Sequence, residues 1–431
     1  MKRSLMLILG SVVLSGGMLN AQDITGDWQG TLNVAGGLRM VLKISKPDGG
    51  GLKAAVYSID QMPDPLPVSS IALSGADLAF SIDALHVSYQ GKLSADGSSI
   101  SGSFTQGKAF PLDFKRATAE TAWSIDSSPH KVQFISVDKD IKLEVLDWGG
   151  SGRPLILLAG LGATAHVFDR FALKLTPAHH VYGITRRGFG TSSAPAPANG
   201  SYASDRLGDD VLAVIDALKL ERPVLAGHSA AGEELSSIGS RYPSKVAGLI
   251  YLDAGYAYAY YDPSRGDLAI DRSELRKELE AYSDLAPLRD QKASIKHLLE
   301  VSLPRFEKDL RGMQKRLDGV PETAFAPSNT PETQIAAAVM AGARKYSGVT
   351  CPVLAFFAVP QNMGPMPGMD AAKRAELAAA DLESRTAQAN AFESGNPSAR
   401  VVRLANASHA VFLSNEADVL REMQAFLAKL P

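Results

Sequence analysis

Two hydrophobic rhythms divide the chain. Between Asp23 and Arg116, apolar and polar residues alternate in short runs at 38–44, 51–57, 78–82, 86–89 and 100–104. Turn-forming residues separate the runs at Pro47-Asp48-Gly49, Ser74-Gly75 and Asp96-Gly97. Period-two alternation turns one face of a strand inward and the other to water, so this spacing predicts a small antiparallel β-barrel or sandwich domain over 23–116. Two glycine-flanked segments, around Trp28 and around Phe104, read as matching edges of one sheet. Residues 117–130 read as a polar linker.

From Lys131 the rhythm changes. An alternating hairpin at 132–137 and 141–146 is followed by nearly continuous apolar runs at 154–158, 181–184, 224–226, 246–252, 353–359 and 401–404, with helical patterns between them. Strands buried on both faces have this signature, and their alternation with helices predicts a parallel, helix-covered sheet. Residues 256–347 interrupt the pattern with a charged helical stretch holding Pro263, Pro287, Pro304, Pro321 and Pro331 among its prolines, read as a cap inserted after the sixth strand. Ligands of such sheets bind at the carboxyl ends of the strands.

Those strand ends carry the candidate chemistry. After 158 comes Ala159-Gly160-Leu161-Gly162, and after 184 comes Thr185-Arg186-Arg187-Gly188-Phe189-Gly190. After 226 comes Gly227-His228-Ser229-Ala230-Ala231-Gly232, after 252 comes Asp253, and after 404 come Ser408 and His409. Ser229 stands in a strand–turn–helix passage too tight for bulky residues two places before or after it. The strict pattern ends in glycine; Ala231 is the small substitute here. The helix that follows aims its first N–H groups and positive dipole end at the reacting oxygen.

On these motifs, residues 131–431 resemble the α/β-hydrolase superfamily, and residues 23–116 resemble the small β-domain that precedes some exported bacterial hydrolases. The resemblance implies an α/β-hydrolase fold with a helical cap insertion. It makes Ser229 the nucleophile and His409 the group that takes and returns its proton. The backbone N–H groups of Leu161 and Ala230 form the oxyanion hole, each donor worth roughly 3 kcal/mol in the transition state. Gly160 lets the backbone approach substrate. Tyr256 and Tyr258 either line the pocket or pack the hinge of the cap. Ala159 stands where the family often has histidine. The usual acid-bearing loop reads Pro360-Gln361-Asn362 and holds no carboxylate; the next acid is Asp370. Some α/β-hydrolases place the acid one strand earlier, so Asp253 is taken ahead of Asp370, with Asn362 as an orienting group if neither acts. Glu233 and Glu234 suit a helix first turn, His228 packs or hydrogen-bonds locally beside the nucleophile, and Arg187 fixes a loop. His179 and His180 lack ligand companions, and no metal or cofactor is expected.

Composition adds limits. The 431 residues are 45% hydrophobic and 21% charged with net charge −2, enough apolar content for more than one domain and no electrostatic case for nucleic acid. The single cysteine, Cys351, excludes an internal disulfide and reads as a buried inert thiol. Met1-Lys2-Arg3, an apolar run at 5–14 and small residues to Ala21 predict a signal peptide over 1–21, although Leu19 departs from the small-x-small rule. No cysteine follows for a lipid anchor and no second run is long enough to span, so a periplasmic or secreted protein without a stable membrane anchor is expected. The expected function is an exported serine hydrolase of a small-molecule carboxylic ester, using a Ser-His-Asp triad and an acyl-enzyme. The alternatives are a peptidase or amidase of the same fold and a non-catalytic binding protein. Epoxide hydrolase and dehalogenase chemistry needs a carboxylate where Ser229 stands. The first domain is read as an appendage packed on the main one, ahead of a lipid- or glycan-binding module.

Overall fold

The computed structural model describes residues 23–33, 37–47, 50–59, 65–123, 128–198, 200–283, 286–318, 331–364 and 370–431; the predicted signal peptide lies outside them. The alternating segment forms one antiparallel sheet of ten strands: β1 (Gly26–Leu32), β2 (Leu38–Ser45), β3 (Lys53–Ser58), β4 (Leu66–Pro67), β5 (Ser70–Ser74), β6 (Asp77–Ile82), β7 (Val87–Leu93), β8 (Ser99–Gln106), β9 (Lys108–Pro111) and β10 (Phe114–Arg116). Their order is β4-β3-β2-β1-β10-β8-β7-β6-β5, with β9 paired to β8. The sheet curls around a core that fully buries Trp28, Tyr89 and Phe114. The Trp28 and Phe104 strands are not edges. β1 lies between β2 and β10, and β8 between β10 and β7. The short β10 slots between them, and at three residues it is too brief to betray itself by alternation.

The linker is tied down at both ends. The Trp123 N–H donates to Gln29 Oε1 at 3.0 Å, and the Gln29 amide donates to the Thr121 carbonyl at 2.8 Å. At the other end the His130 side chain is buried against the main domain, 3.0 Å from Asp169.

The main domain is an eight-stranded sheet: β11 (Lys131–Asp138), β12 (Ile141–Gly149), β13 (Pro154–Leu158), β14 (His180–Ile184), β15 (Val224–His228), β16 (Gly248–Leu252), β17 (Val353–Ala358) and β18 (Ala399–Leu404). Its order is β11-β12-β14-β13-β15-β16-β17-β18, antiparallel up to the β12–β14 pair and parallel from there on. Alternation within the apolar runs sends Leu155 and Leu157 to one face and Ile156 and Leu158 to the other. The first face is covered by α1 (Asp169–Ala172), α9 (Val411–Ser414) and α10 (Glu416–Leu427). The second is covered by α2 (Ser204–Ala217), α3 (Gly232–Arg241) and α8 (Ala371–Gly395). β18 has an edge position and is only half-buried, unlike the doubly buried strand its apolar run predicts. Between β16 and β17 lie α4 (Leu268–Ala281), α5 (Leu288–His297), α6 (Leu303–Leu317) and α7 (Pro331–Ala341), the stretch read as a cap. No helix among the described residues is long and apolar enough to cross a membrane.

Candidate active site

The geometry converges on the end of β15. Ser229 follows it with φ 53°, a left-handed conformation that non-glycine residues hold only under constraint. A 3-10 turn, Ser229–Ala231, then feeds α3. A Cβ on Gly227 would sit 3.0 Å from the Ala231 Cβ, and one on Gly160 would sit 3.1 Å from the Ser229 Cβ. Small residues are therefore required on both sides of the serine and on the facing turn.

His409, on the loop after β18, reaches back across the strand ends. Its Nε2 lies 2.8 Å from Ser229 Oγ and its Nδ1 lies 2.6 Å from Asp253 Oδ2. A proton on Nδ1 held by the carboxylate leaves the Nε2 lone pair facing the serine hydroxyl, the tautomer a general base needs. Asp253 is fully buried at the end of β16, also with a left-handed φ of 50°. Its second oxygen accepts the Ala358 N–H at 2.9 Å, and the Arg385 guanidinium of α8 lies 3.4 Å from the first. His228 Nε2 donates to the His409 carbonyl at 3.1 Å, a partner 181 residues away rather than a local one. Burial, then the neighbouring His409, pushes His228 down to about 3, so it adds no positive charge beside His409.

The other acid does not join this chain. Asp370 is exposed and caps α8, accepting the Lys373 N–H at 2.8 Å. Asn362 turns into its own loop, where its side-chain oxygen accepts the Gly364 N–H.

Ala230 opens the helical passage, where N–H groups have no intrahelical partner. Across from it, the Ala159–Leu161 turn is clamped by a residue that sequence reasoning passes over. Arg186, buried, donates to the carbonyls of Ala159 at 3.1 Å and Gly160 at 3.3 Å, and its Nε donates to Glu234 at 2.5 Å. Glu233 and Glu234 lie in the first turn of α3, as the sequence suggests. Both are buried, because α3 packs under the sheet on all its faces, and Glu233 accepts from Ser204 Oγ at 2.8 Å. Burial, followed by the charge of Glu234, pushes Glu233 up to about 8. Arg187 holds its loop as expected, through two hydrogen bonds to Asp210 and one to the Ser201 carbonyl.

A cleft of about 950 Å³ opens over Ser229 and His409. Gly160 and Leu161 line it, but Tyr256 and Tyr258 are absent from its described lining. The Tyr256 hydroxyl bonds Arg385, and its ring centroid is 6.3 Å from that of His409 and 5.9 Å from that of Tyr258. Half-buried Tyr258 also meets the Ser229 side chain and Tyr256 meets Asp253, so both stand beside the Ser229–His409–Asp253 series. Cys351 is buried, and its burial pushes the thiol up to about 11.

One further cluster went unread. His130, His166 and Asp169 bring metal-ligand types of atom within 4.8 Å of one another, the one such group among the described residues. Hydrogen bonds to Asp169 and ion-pair contacts of His166 hold its arrangement. Trp148 and His130 both meet Asp169 Oδ1, and His166 lies between Asp169 at 3.4 Å and Glu144 at 3.5 Å. Burial opposes charge on His166, but the two carboxylates outweigh it and hold its pKa up at about 9.

The family model described as Alpha/beta hydrolase family matches residues 155–422. Fluoroacetate dehalogenase of Burkholderia sp is 31% identical over 116 residues, 26% of this chain and 38% of that protein. The 2-hydroxymuconate semialdehyde hydrolase of Pseudomonas sp. (strain CF600) is 27% identical over 190 residues, 40% of this chain and 64% of that protein. The chain spans less than two thirds of the length of either curated relative. Among solved structures, a thermophilic esterase from Thermogutta terrifontis aligns with a TM-score of 0.43 and 19% identity, covering 69% of this chain and 98% of that one.

Proposed function

The chain belongs to the alpha/beta hydrolase family, and from that premise we propose that it is an exported serine hydrolase cleaving a small-molecule carboxylic ester. The observation that carries the reading is the hydrogen-bonded series from Ser229 through His409 to the buried Asp253. In the first step Ser229 Oγ bonds the ester carbonyl carbon as its proton passes to His409 Nε2. Charge develops on the carbonyl oxygen, which the N–H groups of Leu161 and Ala230 receive. Collapse breaks the bond to the alcohol oxygen, which leaves with the proton from His409, and an acyl-serine remains. Water then attacks the acyl carbon while His409 removes its proton. The second collapse frees the carboxylic acid and returns the proton to Ser229. Asp253 stabilises the imidazolium at both stages.

Substitution of a halide through an alkyl ester of the enzyme, as a carboxylate nucleophile performs, is not open to the Ser229 hydroxyl. Export rests on the basic start and short apolar run of residues 1–21. The test is a chain-length series of aryl esters set beside aminoacyl arylamides. Ester turnover that falls by about four to six orders of magnitude in a folded Ser229→Ala variant supports the reading. Faster cleavage of the arylamides would make the protein a peptidase or amidase, and unchanged ester turnover in the variant would remove serine from the mechanism.

A further inference from the structure

Position 160 has no room for a side chain. A Cβ there would meet His228 Nδ1 at 3.0 Å and the Ser229 Cβ at 3.1 Å. Glycine removes the clash, but its backbone turns more freely than that of any other residue. That freedom falls where the site needs rigidity. A peptide unit is planar, so the Gly160 carbonyl and the Leu161 N–H belong to one rigid plate and point in opposite directions. Whatever holds the carbonyl therefore aims the N–H. Arg186 supplies that hold from the loop after β14. Its Nη1 donates to the Gly160 carbonyl at 3.3 Å and its Nη2 to the Ala159 carbonyl at 3.1 Å, while the Ala163 N–H closes the turn on the Gly160 carbonyl at 3.3 Å. Its Nε donates at 2.5 Å to Glu234, which stands on α3 one turn beyond Ala230. One buried, planar guanidinium thus joins the turn after β13 to the helix that follows the nucleophile. Arg186 is absent from the described lining of the cleft, so it acts on the site only through these groups.

We propose that Arg186 is the positioning residue of the oxyanion hole. Through the Gly160–Leu161 peptide it fixes the direction of the Leu161 N–H, and through Glu234 it ties that turn to the helix start that holds the Ala230 N–H. The proposal deepens the serine-hydrolase reading above and rests on it for the identity of the two donors. A second effect follows from the charge. A cation at the carbonyl end of a peptide draws electron density toward itself and leaves the N–H at the other end a stronger donor. The developing oxyanion gains more from this than the neutral ester carbonyl does, so the benefit falls on the transition state. Lysine cannot replace the fork, because a point charge does not reproduce a planar set of donors to two carbonyls and a carboxylate.

The test reads the peptide and the chemistry separately. Glu234→Gln accompanies Arg186→Met, so that no carboxylate is left buried without its cation. In full-length protein labelled with ¹⁵N-leucine, the Leu161 signal is assigned by its absence from Leu161→Ile. An amide nitrogen responds to hydrogen bonds on the carbonyl of its own peptide. The double variant should therefore shift the Leu161 signal upfield while the signals of first-domain leucines stay in place. On 4-nitrophenyl butyrate its kcat should fall about tenfold to a hundredfold, no more than the loss of a whole oxyanion donor, with KM within about twofold. An unmoved Leu161 signal overturns the proposal. So does an unchanged kcat in the folded double variant, the result that a role in stability alone would give. A native protein that turns over no ester, with the Leu161 shift intact, would instead count against the serine-hydrolase reading alone.

Discussion

Asp253 and Ser229 are both held at left-handed φ values, a conformation costing about 1–3 kcal/mol for a non-glycine residue. Two such positions joined through one histidine are what a preorganised nucleophile requires. Asp253→Asn should therefore lower kcat on an aryl ester by about three to four orders of magnitude, because the amide favours the wrong histidine tautomer. Asp370→Asn should alter kcat less than about twofold, since Asp370 only caps α8. Steady-state kinetics with circular dichroism on both variants decides this; a large loss only in Asp370→Asn reverses the assignment. At this scale Ser229, His409 and Asp253 are legible, because each directly follows a strand run. Arg186 and Arg385 are not. Their partners lie 48 and 132 residues away, and no local pattern marks a buried pair that forms only in the fold.

At the scale of elements, α3 carries a pH-sensitive burial. The folded state holds the proton of Glu233 up to about 8, against an ordinary value of 4.5. Between those values the folded protein binds a proton that the unfolded chain has released, so this contribution is complete below pH 4.5 and lost as pH rises through 8. Glu233→Gln removes the titration. Thermal melts from pH 5 to pH 8 should lose a few degrees more in the parent than in the variant; equal slopes would contradict it. The slope from His166, which works between 6.5 and about 9 in the same direction, should persist in both. The parallel strands were legible because burial on two faces writes an unbroken apolar run. α8 was not. Of its 25 residues only Gln388, Ala389 and Phe392 are buried, too few to write a stripe. β9 and β10, of four and three residues, are too short for alternation to register.

At the scale of the whole molecule, the change of hydrophobic rhythm near Lys131 marks two domains plainly. It cannot mark that Asn33, Leu38 and Phe110 of the first domain wall the cleft of the second, because such contacts are set by how finished sheets meet rather than by periodicity within either one. The family match spans the main domain only, from 155 to 422. The catalytic account thus stands on one serine, and a fluorophosphonate tests it most directly. Intact-mass spectrometry of the full-length protein should show a single added phosphonyl group, mapped by peptide analysis to Ser229 and absent from Ser229→Ala. Folded protein that gains no adduct, or gains it on another residue, would contradict the account.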